Sequence, residues 1–501
     1  MTTYISENSK SFKWFILGTA TFVTMLYAMA VTIAAIALPD MRGTMAATQD
    51  QITWAITGNI VATAIFTPLA GWLAARYEIR KILLFSVIGF MIATFICGIS
   101  DTLEEIVLAR FAQGAFGAPL PPLCQTLVLG VFPSAQRTMA MAVWGMGTIL
   151  GPVIAPTLGG YLGELLNWRW VFYTLIPFCI VALLMVIATV PVQKNKTKEL
   201  FDWIGFVFLA IAVASLQIML DRGERNGWFD STETYVQFFI CIFSFYIFLA
   251  HSFTFKKPFI NLKIFLNYNY TLGLILIFFF GMLNFVPVVI FPTILQELKG
   301  YPQSIIGILM GTRGLGTFLG FFIIALIGRL DPRFTLTIAF SLQAYAGWYM
   351  STFNIDMTFY EVGLASFIQG IGVGMAWPPI SVLTFATIDN KYYSEATAMF
   401  HLIRNLASSI FIACCVAVVL HTGQINFGQI SSLVTNWNEG IMFNFARENS
   451  DNFSQVTIAN LTKELNRQSL MIGYINAFKL FTWVSLLTIP FLFLIKKNKD
   501  K

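Results

Sequence analysis

Residues 145–162 read GMGTILGPVIAPTLGGYL and lie in the fifth of the long apolar segments of this chain. Small residues occupy every fourth position: Gly147, Gly151, Ala155 and Gly159. That spacing places them in a stripe along one side of a helix and allows close contact with a neighbouring helix. Pro152 and Pro156 remove backbone donors and bend a helix, and Gly160 completes a terminal Gly-Gly pair. The stretch predicts a membrane helix adapted for movement; small residues alone would equally suit a merely packed helix.

The composition is that of a polytopic membrane protein. The chain has 501 residues, of which 57% are hydrophobic and 11% charged, and it contains 49 Phe. Apolar runs of roughly 20 residues, the length that crosses a bilayer, recur along the chain. They predict an all-α fold with fourteen transmembrane helices, near residues 13–37, 52–74, 82–100, 105–127, 138–162, 169–191, 202–220, 234–255, 270–295, 303–327, 334–352, 359–384, 396–420 and 475–495.

Lysine and arginine fall mainly on alternate connections between the predicted helices. These basic connections carry Arg76, Arg80 and Lys81, then Arg137, then Lys194, Lys196 and Lys198, then Lys256, Lys257 and Lys263, then Arg329 and Arg333, then Lys391, and finally the C-terminal KKNKDK. The positive-inside rule places these connections and both termini in the cytoplasm. The net charge of +6 is explained by this bias and gives no reason to expect a nucleic-acid partner.

Two short sequence matches indicate an internal duplication. FAQGAFGAPLPP, from Phe111, matches FIQGIGVGMAWPP, from Phe367, and GWLAAR, from Gly71, matches GRLDPR, from Gly328. The offsets are 256 and 257 residues. They predict an N-terminal six-helix bundle (1–193), two inserted helices (194–268) and a C-terminal six-helix bundle (269–501) with an outer loop (421–474). Two related halves around a midplane site are typical of secondary transporters.

Several stretches resemble a known family. GWLAARYEIRK, LARFAQGAFGAP and GMGTILGPVIAPTLGGYL are similar to three signatures of the major facilitator superfamily, and the last resembles its antiporter motif. TIAAIALP (32–39), SLQIMLDRGERNGWF (215–229, with Asp221 and Arg222), LQELKGY (295–301) and RNLASSI (404–410) resemble the fourteen-helix drug/proton antiporters of the EmrB/QacA type. The resemblance covers essentially the whole chain.

The resemblance implies multidrug efflux across a bacterial inner membrane, driven by the proton gradient without a cofactor. It also implies a periplasmic adaptor (EmrA-like) and an outer-membrane channel (TolC-like). The outer loop is a candidate contact for the adaptor, with a plain solvated loop as the alternative. In the connection after helix two, Gly71, Arg76 and Arg80 match the family, whereas Ala75 and Glu78 replace its Asp and Gly. An Asp-dependent latch between the halves is therefore in doubt, with Glu78 as a candidate substitute.

The chain lacks the family's helix-one acid. Ala30 stands where the resembling proteins have Asp, and no carboxylate lies well inside any predicted helix. Ionisable groups at that depth are costly and mark function. Those that remain inside are Arg110, Arg313, His401 and Arg404.

Each of these four has two interpretations. Arg110 holds a substrate anion or belongs to a polar relay; alternatively it is structural and binds loop or helix-end carbonyls near Glu104 and Glu105. Arg313 and Arg404 serve the pathway or cap the carbonyls of a broken helix. His401 is the one intramembrane side chain with an unperturbed pKa near neutrality, and it is a proton carrier or a structural residue.

A cavity with arginine and no carboxylate should prefer anionic or neutral amphiphiles to lipophilic cations. Candidate substrates are weak-acid uncouplers, acidic antibiotics, fatty acids and carboxylate siderophores. Further pathway candidates supply hydrogen bonds or apolar contact: Thr32, Asn59, Gln113, Gln125, Asn284, Gln369, Asn405 and Trp377.

Other functions remain open at this stage. A dedicated exporter of one metabolite, such as a carboxylate siderophore, has the same fold, and the missing acid also suits a facilitator without proton coupling. A non-transporting sensor is a more distant alternative. The chain contains no H-E-x-x-H, no G-x-S-x-G and no cluster of His or acidic residues, which argues against an enzyme.

Overall fold

The N-terminal half is a bundle of helices. The computed structural model describes residues 10–192, 201–255, 257–328, 330–433 and 455–494. Up to residue 192 it contains α1 (Lys10–Thr44), α2 (Gln49–Phe66), α3 (Leu69–Arg76), α4 (Ile79–Ile99), α5 (Leu103–Gly117), α6 (Leu120–Val131), α7 (Ser134–Leu165), α8 (Arg169–Tyr173) and α9 (Leu175–Thr189). Three predicted segments are each built from two consecutive helices, namely α2 with α3, α5 with α6, and α8 with α9.

The remaining predicted segments are also helical. They form α10 (Trp203–Arg222), α11 (Thr232–Thr254), α12 (Tyr268–Glu297), α13 (Gln303–Ile327), α14 (Pro332–Ser351), α15 (Phe359–Phe385), α16 (Tyr393–Ser432) and α17 (Gln455–Phe493). Within the described ranges, every one of the fourteen predicted segments therefore corresponds to a helix or a helix pair. The linker at 194–200, Lys256, Arg329 and the C-terminal KKNKDK lie outside the described residues.

Most of these helices are suited to a bilayer. Among the described residues, twelve helices are long and apolar enough to cross a membrane, and α2 with α3, which meet at a bend of 46°, makes a thirteenth. Helix α14 is not among them, although its 20 residues would span about 30 Å. It packs between α15 and α17. The fourteenth crossing therefore stays a prediction.

Helix capping repeats the duplication seen in the sequence. Helix α5 begins with a capping box in which Thr102 accepts from the Glu105 nitrogen, and α15 begins with the same box between Thr358 and Glu361. The two threonines are 256 positions apart, the offset of the F-x-Q-G match. A Thr-x-x-Glu box satisfies donors that a helix start leaves free, so corresponding helices in the two halves start in the same way.

The glycine stripe of α7 faces α1. A Cβ on Gly151 would lie 2.5 Å from the carbonyl oxygen of Met25, and one on Gly147 would meet the methyl group of Thr21. Gly159 is buried, whereas the surroundings of Pro156 and Gly160 are not among the described ones. Helix α7 is continuous through Pro152.

The halves are held together at one end of the bundle. This end carries Arg76, Arg80, Lys81, Arg137 and Lys391, and we call it the basic end. Here Gly71 of α3 lies directly against the backbone of Glu395 on α16. The Arg137 guanidinium lies 5.5 Å from the Tyr393 ring centre. Contacts between α7 and α13 continue from the basic end as far as Val153 and Gly314.

At the opposite end, the described loop contacts stay within each half. Arg169 pairs with Asp101 at 2.6 Å in the N-terminal half. In the C-terminal half, Lys299 donates to the Ile355 carbonyl at 2.8 Å. The structure is thus closed at the basic end.

The inserted helices α10 and α11 pack on each other and against α2 and α16. Their basic ends are joined by Asp202, a buried carboxylate that caps α10. It accepts from the backbone nitrogens of Gly205 and Phe259 at 2.9 Å and lies 2.8 Å from Nε2 of His251. At the other end of α10, Thr57 of α2 donates to Asp221, and the Arg222 guanidinium lies 4.8 Å from the Trp54 ring centre.

The prediction of a loop at 421–474 is wrong for the part of this segment that the structure describes. Helix α16 continues to Ser432 and α17 begins at Gln455, so both described ends of this segment are helical. The reason is mutual packing: Gly423 lies against Leu470, and Gly473 approaches the Val419 carbonyl closely. Residues 434–454 lie outside the described part.

Candidate functional site

Arg110 is enclosed within the N-terminal half. It is 1% exposed, and its guanidinium donates to the carbonyls of Ala55 and Ala30, at 3.3 Å and 3.5 Å, and to Oε1 of Gln113. Its own carbonyl accepts from Asn59 at 2.9 Å. The structural alternative predicted helix-end carbonyls near Glu104 and Glu105 as partners. Instead the partners are carbonyls in the middle of α1 and α2, and one of them belongs to Ala30, the position of the missing acid.

The C-terminal half encloses a second arginine in a related way. Nε of Arg313 donates to Oε1 of Gln369 at 2.8 Å, and its Nη2 donates to the carbonyl and side-chain oxygens of Asn284 at 2.6 Å and 2.8 Å. Gln113 and Gln369 are the matched glutamines of the F-x-Q-G repeat, and both are fully buried. Each accepts from an arginine. In the first half that arginine lies on the same helix, and in the second it lies on the neighbouring α13.

Arg404 differs because it is only partly buried. Its guanidinium lies 5.2 Å from the ring centre of Trp377 and donates to Oδ1 of Asn405, the nearer bond being 2.8 Å. Tyr27 of α1, in the other half, is close enough for both Arg404 and Arg110 to act on it electrostatically. The Arg404 guanidinium thus lies beside the large aromatic ring of Trp377, an arrangement that the planar guanidinium group favours.

His401 lies one turn before Arg404 and contacts the other half. Its Nε2 is 2.7 Å from Oε1 of Gln125 on α6. The amide nitrogen of Gln125 donates to the Ser381 hydroxyl on α15 at 3.3 Å. The Trp377 ring centre lies 5.9 Å from that of His401. The structure therefore brings His401, Gln125, Trp377 and Arg404 into one region between the halves.

The interior arginines have no acidic partner in the part of the chain that the structure describes. No carboxylate lies within ion-pair distance of Arg110, Arg313 or Arg404 there; the ion pairs that it holds connect other residues. Thr32, also predicted for this site, donates to carbonyls of its own helix, those of Ala28 and Met29. An anion or a neutral polar group is the complementary ligand for such an interior.

The residues assigned to conformational change lie at the basic end and in the helix interfaces. Glu78 pairs with Lys81 in its own connection at 3.3 Å. Arg80 donates to the Ile187 carbonyl within the same half at 2.7 Å. The Arg76 guanidinium stacks over Trp72, at 5.7 Å from its ring centre. At this connection, the close approach to the other half is made by Gly71.

Sequence reasoning missed several contributors. Tyr27 and Thr94 carry no motif; Thr94 accepts from Gln113 at 2.7 Å. The Asp202–His251 contact joins residues 49 positions apart, and no motif marks either residue. A tight pairing of α13 and α15 was also missed, although glycines spaced by four in both helices signal it. Gly316 and Gly320 lie against backbone atoms of α15, and Gly370 and Gly374 lie against backbone atoms of α13.

Comparison with known proteins agrees with this architecture. The Major Facilitator Superfamily profile matches residues 20–412. The multidrug export protein EmrB of Escherichia coli (strain K12) is 30% identical over 464 residues, covering 91% of this chain and 90% of the relative. The fatty acid resistance protein FarB of Neisseria gonorrhoeae is 27% identical over 486 residues, covering 96% and 95%.

The fold is also found in a solved structure. The human organic anion transporter MFSD10 (TETRAN) superimposes with a TM-score of 0.61 at 12% sequence identity. The match covers 94% of this chain and 99% of that protein. At this identity the similarity concerns the fold alone.

Proposed function

The chain belongs to the Major Facilitator Superfamily, with EmrB multidrug exporters among its relatives, and from this premise we propose that it exports hydrophobic anionic and neutral amphiphiles in exchange for protons. It is an EmrB-like, multi-pass membrane transporter rather than an enzyme of the membrane. The observation that carries the substrate class is the set of interior arginines without a carboxylate partner in the described residues. The relative FarB is named for resistance to fatty acids, which are anionic amphiphiles, and this supports the same class.

Arg404 is the residue that meets the anion in this proposal. Arg110 and Arg313 are already bonded to backbone and amide oxygens, whereas Arg404 is partly exposed and its described hydrogen bonds go to Asn405. Trp377 beside it provides the apolar contact that an amphiphile needs. In a poorly screened interior, an uncompensated guanidinium attracts anions and repels cations.

The membrane orientation follows from the charge bias. The basic end faces the cytoplasm by the positive-inside rule, with both termini on that side. The halves act as units: residues 1–193 and 269–501 move against each other, with 194–268 attached. The membrane is the bacterial inner membrane.

The extension formed by α16 and α17 supports an adaptor as partner. Helix α16 has 40 residues, about 60 Å of helix against a hydrocarbon core of about 30 Å. Its end therefore projects on the outer side, where we place an EmrA-like adaptor and a TolC-like channel. A photocrosslinker at Ile425, which is 47% exposed, tests this: adducts with a co-expressed adaptor support the contact, and adducts with lipid only refute it.

Proteoliposomes test the transport proposal. They are loaded with a pH-sensitive dye, given a proton gradient, and exposed to a weak-acid uncoupler analogue or to a lipophilic cation. Proton flux is expected with the anion and not with the cation. Arg404→Ala should lose most of that flux, Arg404→Lys should retain part of it because the charge remains without the planar stacking, and Arg225→Ala, at an exposed loop position, should match the unaltered protein.

Two results would overturn the proposal. Flux that follows the lipophilic cation alone contradicts the anionic site. Movement of the anion without proton flux identifies a facilitator, the function that the absence of the helix-one acid also suits.

A further inference from the structure

A short chain of hydrogen bonds joins the halves near the basic end. Nε2 of His401 lies 2.7 Å from Oε1 of Gln125, and the Gln125 nitrogen donates to the Ser381 hydroxyl at 3.3 Å. Beside it, the hydroxyls of Thr126 and Thr397 are 2.7 Å apart. Gln125 and Thr126 belong to the N-terminal half and the others to the C-terminal half. We call these five residues the His401 contact.

The hydrogen bonds of this contact fit a neutral imidazole. Because Oε1 of Gln125 can only accept, Nε2 of His401 carries a proton, which leaves Nδ1 with its lone pair. His401 is 2% exposed, and its Nδ1 is buried without a hydrogen-bond partner in the described structure. A proton added at Nδ1 would create a buried donor with no acceptor, which is unfavourable, and more so for a charged group.

The surroundings also oppose a second positive charge. Arg404 is the charged side chain nearest along the same helix, and it acts electrostatically on His401. The other titratable side chains on helices packed around this region include Tyr393, Glu395, Cys414 and Cys415 on α16, Cys124 on α6, Tyr268 and Tyr270 on α12, Arg76 on α3, Tyr27 on α1, and Tyr474 and Lys479 on α17. Helices α2, α10 and α15 carry their ionisable side chains only at their ends. No carboxylate lies within ion-pair distance of His401 in the described residues.

We propose that His401 is the proton-binding side chain that opens the basic end. This inference rests on the proposed exchange of protons for substrate. A proton from the outer side adds to the Nδ1 lone pair and gives an imidazolium. Its new donor and its charge are satisfied when the contact with Gln125 separates and water enters. With the basic end open, Nδ1 returns the proton to cytoplasmic water, and the neutral ring rebuilds the contact.

The step places proton entry before substrate loading. A proton taken up outside opens the inner side, and its release inside allows closure around a substrate taken from the cytoplasm. His401 thereby provides a titratable group in a chain that has Ala30 at the position of the family's acid. Proton binding and substrate binding are linked through the same movement of the halves.

Spin labels at the basic end test the inference. Cysteines replace Ser134 and Leu330, which are exposed and lie on different halves, in a background in which Cys414 is serine. Distances are measured by electron paramagnetic resonance in nanodiscs between pH 5 and 8.5, without substrate. The fraction of molecules with the longer distance should increase on acidification. The ratio of open to closed molecules should change by up to about tenfold per pH unit, as expected for one titrating group.

Matched histidine variants separate this group from any general effect of pH. His401→Gln keeps a polar side chain that does not titrate, and it should remain at the short distance throughout. His421→Gln, a change at an exposed position on the outer extension, should retain the pH response of the unaltered protein. Gln125→Leu removes the partner but keeps the histidine, and it should show the long distance even at high pH.

Two outcomes overturn the inference: a distance that does not depend on pH in the unaltered protein, or a pH response that persists in His401→Gln. The proteoliposome assay judges the proposed function separately. Proton-coupled export together with a pH-independent distance refutes only the role of His401, whereas export without proton flux refutes the exchange itself.

Discussion

Gly151→Ala is expected to push α7 away from α1, because their contact has no room for a methyl group. A Cβ at Gly151 would lie 2.5 Å from the Met25 carbonyl oxygen, 0.9 Å short of the 3.4 Å at which ordinary contact begins, and 3.2 Å from the Met29 nitrogen. Both obstacles are backbone atoms, so no change of rotamer relieves the clash. The helices must separate, or the backbone must shift by a similar distance.

The magnitude follows from two opposing effects. Overpacking a close-packed interior costs about 1–3 kcal/mol, and a backbone obstacle places this site near the upper limit, at about 3 kcal/mol. Alanine in a helix in place of glycine returns about 1 kcal/mol. The net loss of about 2 kcal/mol should lower Tm by about 2 °C, because the unfolding entropy of a 501-residue chain is large.

Thermal unfolding in detergent, followed by fluorescence-detected size-exclusion chromatography, measures this shift. Gly18→Ala is the matched control on α1, because a Cβ there meets nothing within 4 Å. Gly147→Ala should fall between them, since its obstacle is the Thr21 side chain, which can rotate. If Gly151→Ala is as stable as Gly18→Ala, the close approach of α1 and α7 does not explain this glycine.

Two further substitutions probe the buried arginines. Ala30→Asp would place a carboxylate close to Arg110, whose Nη1 lies 3.5 Å from the Ala30 carbonyl; the ratio of cation-stimulated to anion-stimulated proton flux in proteoliposomes should rise, and an unchanged ratio would contradict the electrostatic basis of selectivity. Gln369→Leu removes the acceptor that lies 2.8 Å from Nε of Arg313; stability should fall by about 1.5–3 kcal/mol, the value of a hydrogen bond to a charged group, and a Tm equal to that of the unaltered protein would show that Asn284 alone suffices.

The membrane helices were predictable because a single strong physical effect determines them. Apolar runs longer than the bilayer thickness leave little choice of structure, and the predicted segments recur as helices or helix pairs. The prediction for the outer ends of α16 and α17 was wrong for the opposite reason. Beyond Leu420 the sequence becomes polar, and its helical state depends on contacts such as that of Gly423 with Leu470, which are 47 positions apart.

The site was predictable as a set of residues but not as a set of pairs. The repeat singled out Gln113 and Gln369, and both bind an arginine. The sequence does not reveal that the second glutamine takes its arginine from α13, because that depends on how α13 packs on α15. His401 and Gln125 are 276 positions apart and lie on different halves, so their contact depends on how the halves pack. Pairing across halves is a property of one conformation, and no local pattern encodes it.

The charge of the substrate changes the energy available for export. A one-for-one exchange that moves an anion out and a proton in transfers two positive charges inward, and with the cytoplasm negative it gains about 2.3 kcal/mol per charge for each 100 mV. Export of a neutral amphiphile by this exchange moves one charge and gains that energy once. Export of a monovalent cation moves no net charge and gains nothing from the potential. In the proposed exchange, the arginines that have no carboxylate partner among the described residues would disfavour a cation, and so would also select the substrates whose export the membrane potential assists. A protonated His401 would attract the anionic substrate rather than repel it, so the proton and the anion cannot exclude each other electrostatically. The proposed exchange therefore depends on the halves closing at the His401 contact before the next proton binds.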